Sequence, residues 1–325
     1  MLYPFKFQPI LKSTIWGGSK IIPFKHLDCQ QPNVGESWEI SNVPGDISIV
    51  ANGPLVGKKL SDLVNEYKAD FLGKTNWERF GTNFPLLIKF IDAADDLSIQ
   101  VHPDDELAQK RHSSFGKTEM WYVMDNNSNA ARLRSGLKRK ITPAEYEAMV
   151  ADNTICDALA EYAVNKGDVF FLPAGRVHSI GAGCFIAEIQ QTSNVTYRIY
   201  DFGRTDAEGR PRELHTELSK DAIDYDVLPD YRTTYSKQFD IRVPLVSCPH
   251  FTTSICELTH DTDFDYTSLD SFVIYVCVEG ECLLITPNAE PLSLKAGECV
   301  LLPAAISEVK LQVDGHVKFL ETYVN

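Results

Sequence analysis

The chain has 325 residues, 44% hydrophobic and 23% charged, the make-up of an ordinary globular protein with one large domain or two medium ones. Its 45 acidic residues against 31 basic ones give a formal net charge of −14, which sets the long-range field against nucleic acid and anionic lipid. No apolar run approaches the ~20 residues of a membrane helix and the start of the chain lacks a basic-then-apolar leader, so a cytoplasmic protein without a membrane partner is expected, monomeric or homodimeric.

In chain order, Ser48–Ala51 and Pro85–Ile91 read as short strands separated by helical periodicity over Leu60–Tyr67. Met120–Met124, Asp168–Leu172 and Phe185–Gln190 add further β-rich runs bounded by Gly, Pro, Asn or Asp. Between them, residues 142–162 read as a helical insert, with Thr142 as N-cap, Pro143 at the first helical position and Glu145 at the third. The class is all-β. The eight Cys form no Cys-x-x-Cys pair, and several sit in apolar runs such as Val276–Val278, which points to buried reduced thiols.

An internal repeat organises the chain. Gly167–His178 aligns without gaps on Gly297–Glu308 at an offset of 130, and Trp121–Asn126 aligns on Ile274–Glu279 at 153, the difference being assigned to the helical insert of the first copy. Two barrel-like units follow, residues 1–234 and 235–325, with the boundary in the polar stretch Asp230–Lys237. In the second copy Glu308 stands at the His178 position, Ala305 at Gly175 and Phe272 at Glu119, so that copy reads as structural and without metal ligands.

Three short motifs carry the chemistry. Gln100 and His102 are two apart and share a face if their segment is a strand, as do Lys117 and Glu119 at the start of the next run. Gly167-x5-Pro173-x-Gly175-x2-His178 then ends an apolar strand in a tight turn. This last pattern resembles the second signature of the cupin superfamily, whose double-stranded β-helix (jelly-roll) barrels hold a metal. Ser98-Ile-Gln100-x-His102-Pro-Asp, Gly116-Lys117-x-Glu119-x-Trp121 and Gln190-x-x-Ser193-Asn194-Val-x-Tyr197-Arg198 together resemble the shorter bacterial form of the type I mannose-6-phosphate isomerases, from Trp16 through Arg204 and more loosely beyond.

The resemblance implies two cupin barrels, the second degenerate, one Zn²⁺ per chain held by Gln100, His102, Glu119 and His178, and Arg198 as the family's catalytic arginine. It further implies a sugar-phosphate site with Ser98, Lys117, Arg198, Arg204, Trp16 and Glu36 in the pocket. Two imidazoles, a carboxylate and an amide suit Zn²⁺. Aldose–ketose isomerisation through an enediol also needs a base; Glu188, in a stretch apolar enough to raise its pKa, and Lys117 are the candidates. The alternatives are a non-catalytic sugar-phosphate-binding cupin and a metal-dependent cupin oxygenase, which Gln100 in place of a histidine disfavours. Histidines 26, 112, 215, 250, 260 and 316 fall outside every motif and read as fillers.

Overall fold

The apolar runs become strands, and three antiparallel sheets hold most of them. The structure, a computed structural model, describes residues 2–126, 131–205, 209–287 and 289–325. One sheet has six strands in the order Ile10–Gly18, Val34–Ile40, Leu86–Asp92, Cys184–Gln191, Glu119–Asn126, Val169–Leu172. A second has five, in the order Tyr197–Tyr200, Ile99–Val101, His178–Ile180, Arg132–Leu137, Leu159–Ala163. Trp121, Val123 and Ile186 of the first pack with Leu133 and Ile180 of the second to fill one end of the space between them. A third sheet of eight strands runs from Arg242 to Tyr323 and closes on its own core around Tyr275 and Phe319.

The strands Leu86–Asp92 and Cys184–Gln191 are buried along their whole length. One face looks into the first barrel, while Leu86, Ile88, Phe90, Ala187 and Ile189 join Ile274, Val276 and Leu320 of the third sheet in a shared core. Burial on both faces explains why these strands read as nearly continuous apolar runs rather than alternating ones. Phe5 pairs with Leu301, so the amino-terminal segment is stitched to the third sheet. Of the eight cysteines, all free, five are buried and Cys29 is exposed. Among the described residues no helix is long and apolar enough to cross a membrane.

The helical insert is shorter than its sequence suggests. Thr142 and Glu145 form a reciprocal capping box on a helix over Pro143–Ala151, which ends at a turn where Asn153 takes φ +57°. A 3₁₀ turn over Ile155–Ala158 follows, and Leu159–Ala163 is a strand paired with Arg132–Leu137. Over its last four residues burial alternates, Ala160 and Tyr162 half-buried and Glu161 and Ala163 exposed, which is the period of a strand, so the expectation of helix through 162 is corrected there.

The repeat also needs one correction. Gly167 and Gly297 take matching φ values of +93° and +85°, as the offset of 130 requires. Upstream, however, Val123 exchanges backbone bonds with Gly167 and Asp168 as Cys277 does with Gly297 and Glu298, which makes the offset 154 rather than 153. A slip of one residue changes faces. Trp121 looks into its own barrel and so does Tyr275, whereas Ile274 looks into the shared core. Glu119 therefore corresponds to Val273, not Phe272, and Glu188, opposite Trp121, corresponds to Glu321, opposite Tyr275. The second barrel has no counterpart of the motif histidines at these positions, but it keeps a buried carboxylate, bonded by Arg242 and Tyr266.

Lys25 ties the two halves together, its ammonium lying 2.7 Å from the buried Glu39 carboxylate and donating to the Gly297 carbonyl. Lys25→Met leaves that carboxylate without its cation, at a cost of about 3–5 kcal/mol. The measurement is the denaturant midpoint of the full chain, and a midpoint equal to wild type would show that the pair does not hold the halves together.

Candidate active site

Cross-strand register builds the site. In the five-stranded sheet Gln100 lies opposite both His178 and Arg198, so His178, Gln100 and Arg198 stand in one row on one face. His102 follows two residues after Gln100, beyond the strand end. In the facing six-stranded sheet Trp121, Glu188, Lys89 and Trp38 form a second row, with Glu119 two residues before Trp121 on the same face. A cavity of about 790 Å³ opens between the rows and is lined by Trp16, Glu36, Lys89, Ser98, Gln100, Lys117, Glu188, Arg198 and Arg212, among others. That volume is within the range of small-molecule sites.

Behind two of these lining residues, Gln100 and Lys117, His102, Glu119 and His178 are buried, and one ligand atom from each falls within 4.8 Å of the others. The Glu119 carboxylate lies 3.5 Å from His102 Nε2 and 3.3 Å from His178 Nε2. Each ring turns its other nitrogen to a backbone carbonyl: His102 Nδ1 is 3.0 Å from Val195 O and His178 Nδ1 is 2.8 Å from Arg176 O. Carbonyls only accept, so both Nδ1 atoms carry the proton and both Nε2 lone pairs point at the carboxylate. Burial pushes the His178 imidazole down to about 3 and holds His102 well below its ordinary value, with the Lys117 ammonium adding to both. Burial raises the Glu119 carboxyl, and Lys117 at 3.1 Å pulls it back.

Converging lone pairs and a buried carboxylate with Lys117 on one oxygen and no hydrogen-bond partner on the other are what a divalent cation satisfies, so the donor set fits a metal ion. The Gln100 amide nitrogen lies 3.2 Å from His178 Nε2, which brings a neutral side chain beside the three groups.

The opposite row behaves differently from its expected role. Burial acts to raise the Glu188 carboxyl, but Lys89 at 3.2 Å, Lys117 and the Trp121 indole N–H at 2.8 Å hold it below the usual carboxylate range. The apolar stretch around it does not set its pKa; the row does. Lys89 went unnoticed in the sequence because it sits inside an apolar run. It is 5% exposed, lies 3.5 Å from Glu36 and 5.1 Å from the centre of the Trp38 ring, and is held strongly protonated by Glu36 and Glu188 against the effect of burial.

At the far wall, Arg198 lines the cavity and donates to the Glu213 carbonyl, while its backbone N–H donates to His215 Nδ1. His112 bonds the Tyr197 hydroxyl at 2.8 Å, so two of the histidines read as fillers support the Arg198 strand. Ser98, Trp16 and Glu36 also line the cavity. Arg204 is not among the lining residues. It bonds Asp201 and the Asp96 carbonyl, and Arg212, which the sequence gave no reason to single out, lines the cavity instead.

Comparison with known proteins agrees with this geometry. The profile for the catalytic domain of type I phosphomannose isomerase matches residues 4–134, and that for the mannose-6-phosphate isomerase cupin domain matches residues 243–324. Mannose-6-phosphate isomerase ManA of Bacillus subtilis is 33% identical over 312 residues, covering 95% of this chain and 96% of that protein. The chain belongs to the type I phosphomannose isomerase family. The mannose-6-phosphate isomerase of Streptococcus mutans is 32% identical over 100% of this chain and 99% of its own length. The crystal structure of the Bacillus subtilis mannose 6-phosphate isomerase matches with a TM-score of 0.88 and 29% identity, covering 99% of each chain. The cupin architecture is thus common to the chain and its family relatives.

Removing one ligand should empty this cluster without unfolding the barrel. His178→Ala is expected to lower divalent-metal affinity more than ~10-fold. The check is the metal-to-protein ratio after equilibration with a competing chelator, and a ratio unchanged from wild type would remove His178 from the ligand set.

Proposed function

We propose that the chain is a zinc-dependent isomerase that interconverts mannose 6-phosphate and fructose 6-phosphate through an enediol, acting in the cytoplasm, where its eight free thiols stay reduced. The observation that carries this reading is one cavity lined by a buried carboxylate in an ion pair and by two arginines, with a His–Glu–His cluster directly behind its lining residues Gln100 and Lys117. The full-length likeness to mannose-6-phosphate isomerases supports it.

Gln100, His102, Glu119 and His178 would hold the zinc, which when bound supplies a Lewis acid for negative charge on the sugar oxygens. Glu188 is the base. Its depressed pKa keeps it ionised at neutral pH, so it can take the proton from C2 as the C1–C2 double bond forms, then return it to C1. Lys89 and the Trp121 indole hold its two oxygens in place, the first at 3.2 Å and the second at 2.8 Å. Lys117 places a further cation beside His102 and Glu119, where it favours the charge that develops during proton transfer. Trp16 offers an apolar surface to the sugar, and Glu36 can accept from a hydroxyl. The carboxyl-terminal cupin unit, residues 235–325, covers the first barrel and takes no part in the proton transfer.

A coupled assay of mannose 6-phosphate conversion, run before chelation, after it and after adding Zn²⁺ back, tests the whole reading. Activity is expected to disappear and return. No turnover in metal-replete protein that still binds the sugar phosphate would make it a sensor instead. Within an active enzyme, Glu188→Gln is expected to lower kcat by about 10²–10⁴ and to stop exchange of the C2 hydrogen with solvent. Undiminished exchange would exclude Glu188 as the base.

A further inference from the structure

The sequence resemblance puts a second phosphate-facing cation at Arg204, yet the fold uses all sides of that guanidinium elsewhere. Its Nη2 bonds Asp201 Oδ1 at 2.5 Å, its Nε donates to the Asp201 carbonyl at 3.3 Å, and its Nη1 donates to the Asp96 carbonyl. A backbone bridge between Thr205 and Pro211 sets Arg212 beside the same carboxylate. Arg212 gives its Nε to Asp201 Oδ2 at 2.6 Å and its Nη2 to Oδ1, and it borders the cavity alongside Arg198.

We propose that Arg212, together with Arg198, holds the dianionic phosphate of a sugar phosphate, and that Arg204 is a positioning residue acting through Asp201. The identity of the sugar rests on the isomerase reading; the anion subsite does not.

Charge supports the assignment. Two guanidiniums, Arg204 and Arg212, bond one buried carboxylate, Asp201, which is 5% exposed, with Arg198 close by, while among the described residues the acidic neighbours Asp95 and Glu213 are largely in water at 64% and 84% side-chain exposure. This leaves a local positive excess at a cavity wall in a chain of net charge −14. Arg198 Nε is buried without a hydrogen-bond partner, a donor open to an acceptor. After burial, Arg212 is the largest influence lowering the Arg198 pKa, which places two like charges close together, offset by Asp201 and the exposed Glu213. A phosphate dianion relieves that repulsion and accepts from both planar forks. Ser98 and Thr196, on the same wall, add hydroxyl donors.

The test uses metal-replete full-length protein and two ligands without a carbonyl, glucitol 6-phosphate and glucitol, titrated by calorimetry. Their affinity ratio isolates the phosphate. Arg212→Gln is expected to lower that ratio about 10- to 100-fold with glucitol affinity and metal content unchanged, and Arg204→Gln to lower it no more than about threefold. Arg212→Lys, which keeps a cation for Asp201, guards against misfolding and is expected to fall between wild type and Arg212→Gln. In turnover, Arg212→Gln should raise KM more than it lowers kcat. A ratio within twofold of wild type in Arg212→Gln, an equal loss in Arg204→Gln, or a wild-type protein that binds both ligands alike would each overturn the proposal. A normal phosphate preference in a protein without isomerase activity would instead contradict the function proposed above while leaving this subsite standing.

Discussion

Everything at the site depends on the register between neighbouring strands. Gln100 pairs with His178 on one side and with Arg198 on the other, and Glu188 pairs with Trp121 and Lys89. Because paired residues share a face, these pairings align donors from chain positions nearly 100 residues apart into two rows that look at each other across one cavity. A slip of one residue in any of these strands would turn its chemistry into the shared core or the solvent. The heavy apolar packing on the outer face of Leu86–Asp92 and Cys184–Gln191 resists such a slip.

The two rows hold charge in different ways. On one side, carbonyl-bound Nδ1 atoms fix both imidazoles with their lone pairs turned inward, so burial there produces a demand for a cation. On the other, Glu36, Lys89 and Glu188 alternate in sign, and the buried lysine keeps Glu188 ionised. Lys117 sits between the rows, 3.0 Å from His102 Nε2, and acts on groups in both. The two rows are therefore electrostatically coupled, and in the function proposed above metal binding would be felt by the proton-transfer group and the reverse.

The sequence made visible what local spacing encodes. Gln100 and His102, like Lys117 and Glu119, lie two apart in strand-like runs, and the turn before His178 is short and patterned, so the shared faces and the β class could be read directly, while the grouping of these residues into one site was implied only by the family resemblance. Lys89 was hidden because a lysine within a doubly buried strand has no periodic signal of its own. The Glu188 pKa was misjudged because the groups that set it belong to other strands. Arg212 is placed by the Thr205–Pro211 bridge, which nothing in the local sequence announces, and the strong cap at Thr142 masks the change from helix to strand before Leu159–Ala163. Residue types in the repeat align at 153, whereas the faces of the paired strands set the offset at 154.

The central claim is that the two imidazoles and the carboxylate between the rows form one metal site. Anomalous diffraction at the zinc absorption edge, from crystals of the protein grown with Zn²⁺, tests it most directly. The account predicts one strong peak per chain at ligand distance, about 2.0–2.2 Å, from His102, Glu119 and His178. A fully loaded protein whose zinc peak lies elsewhere, or a map without a peak at that cluster, would contradict it.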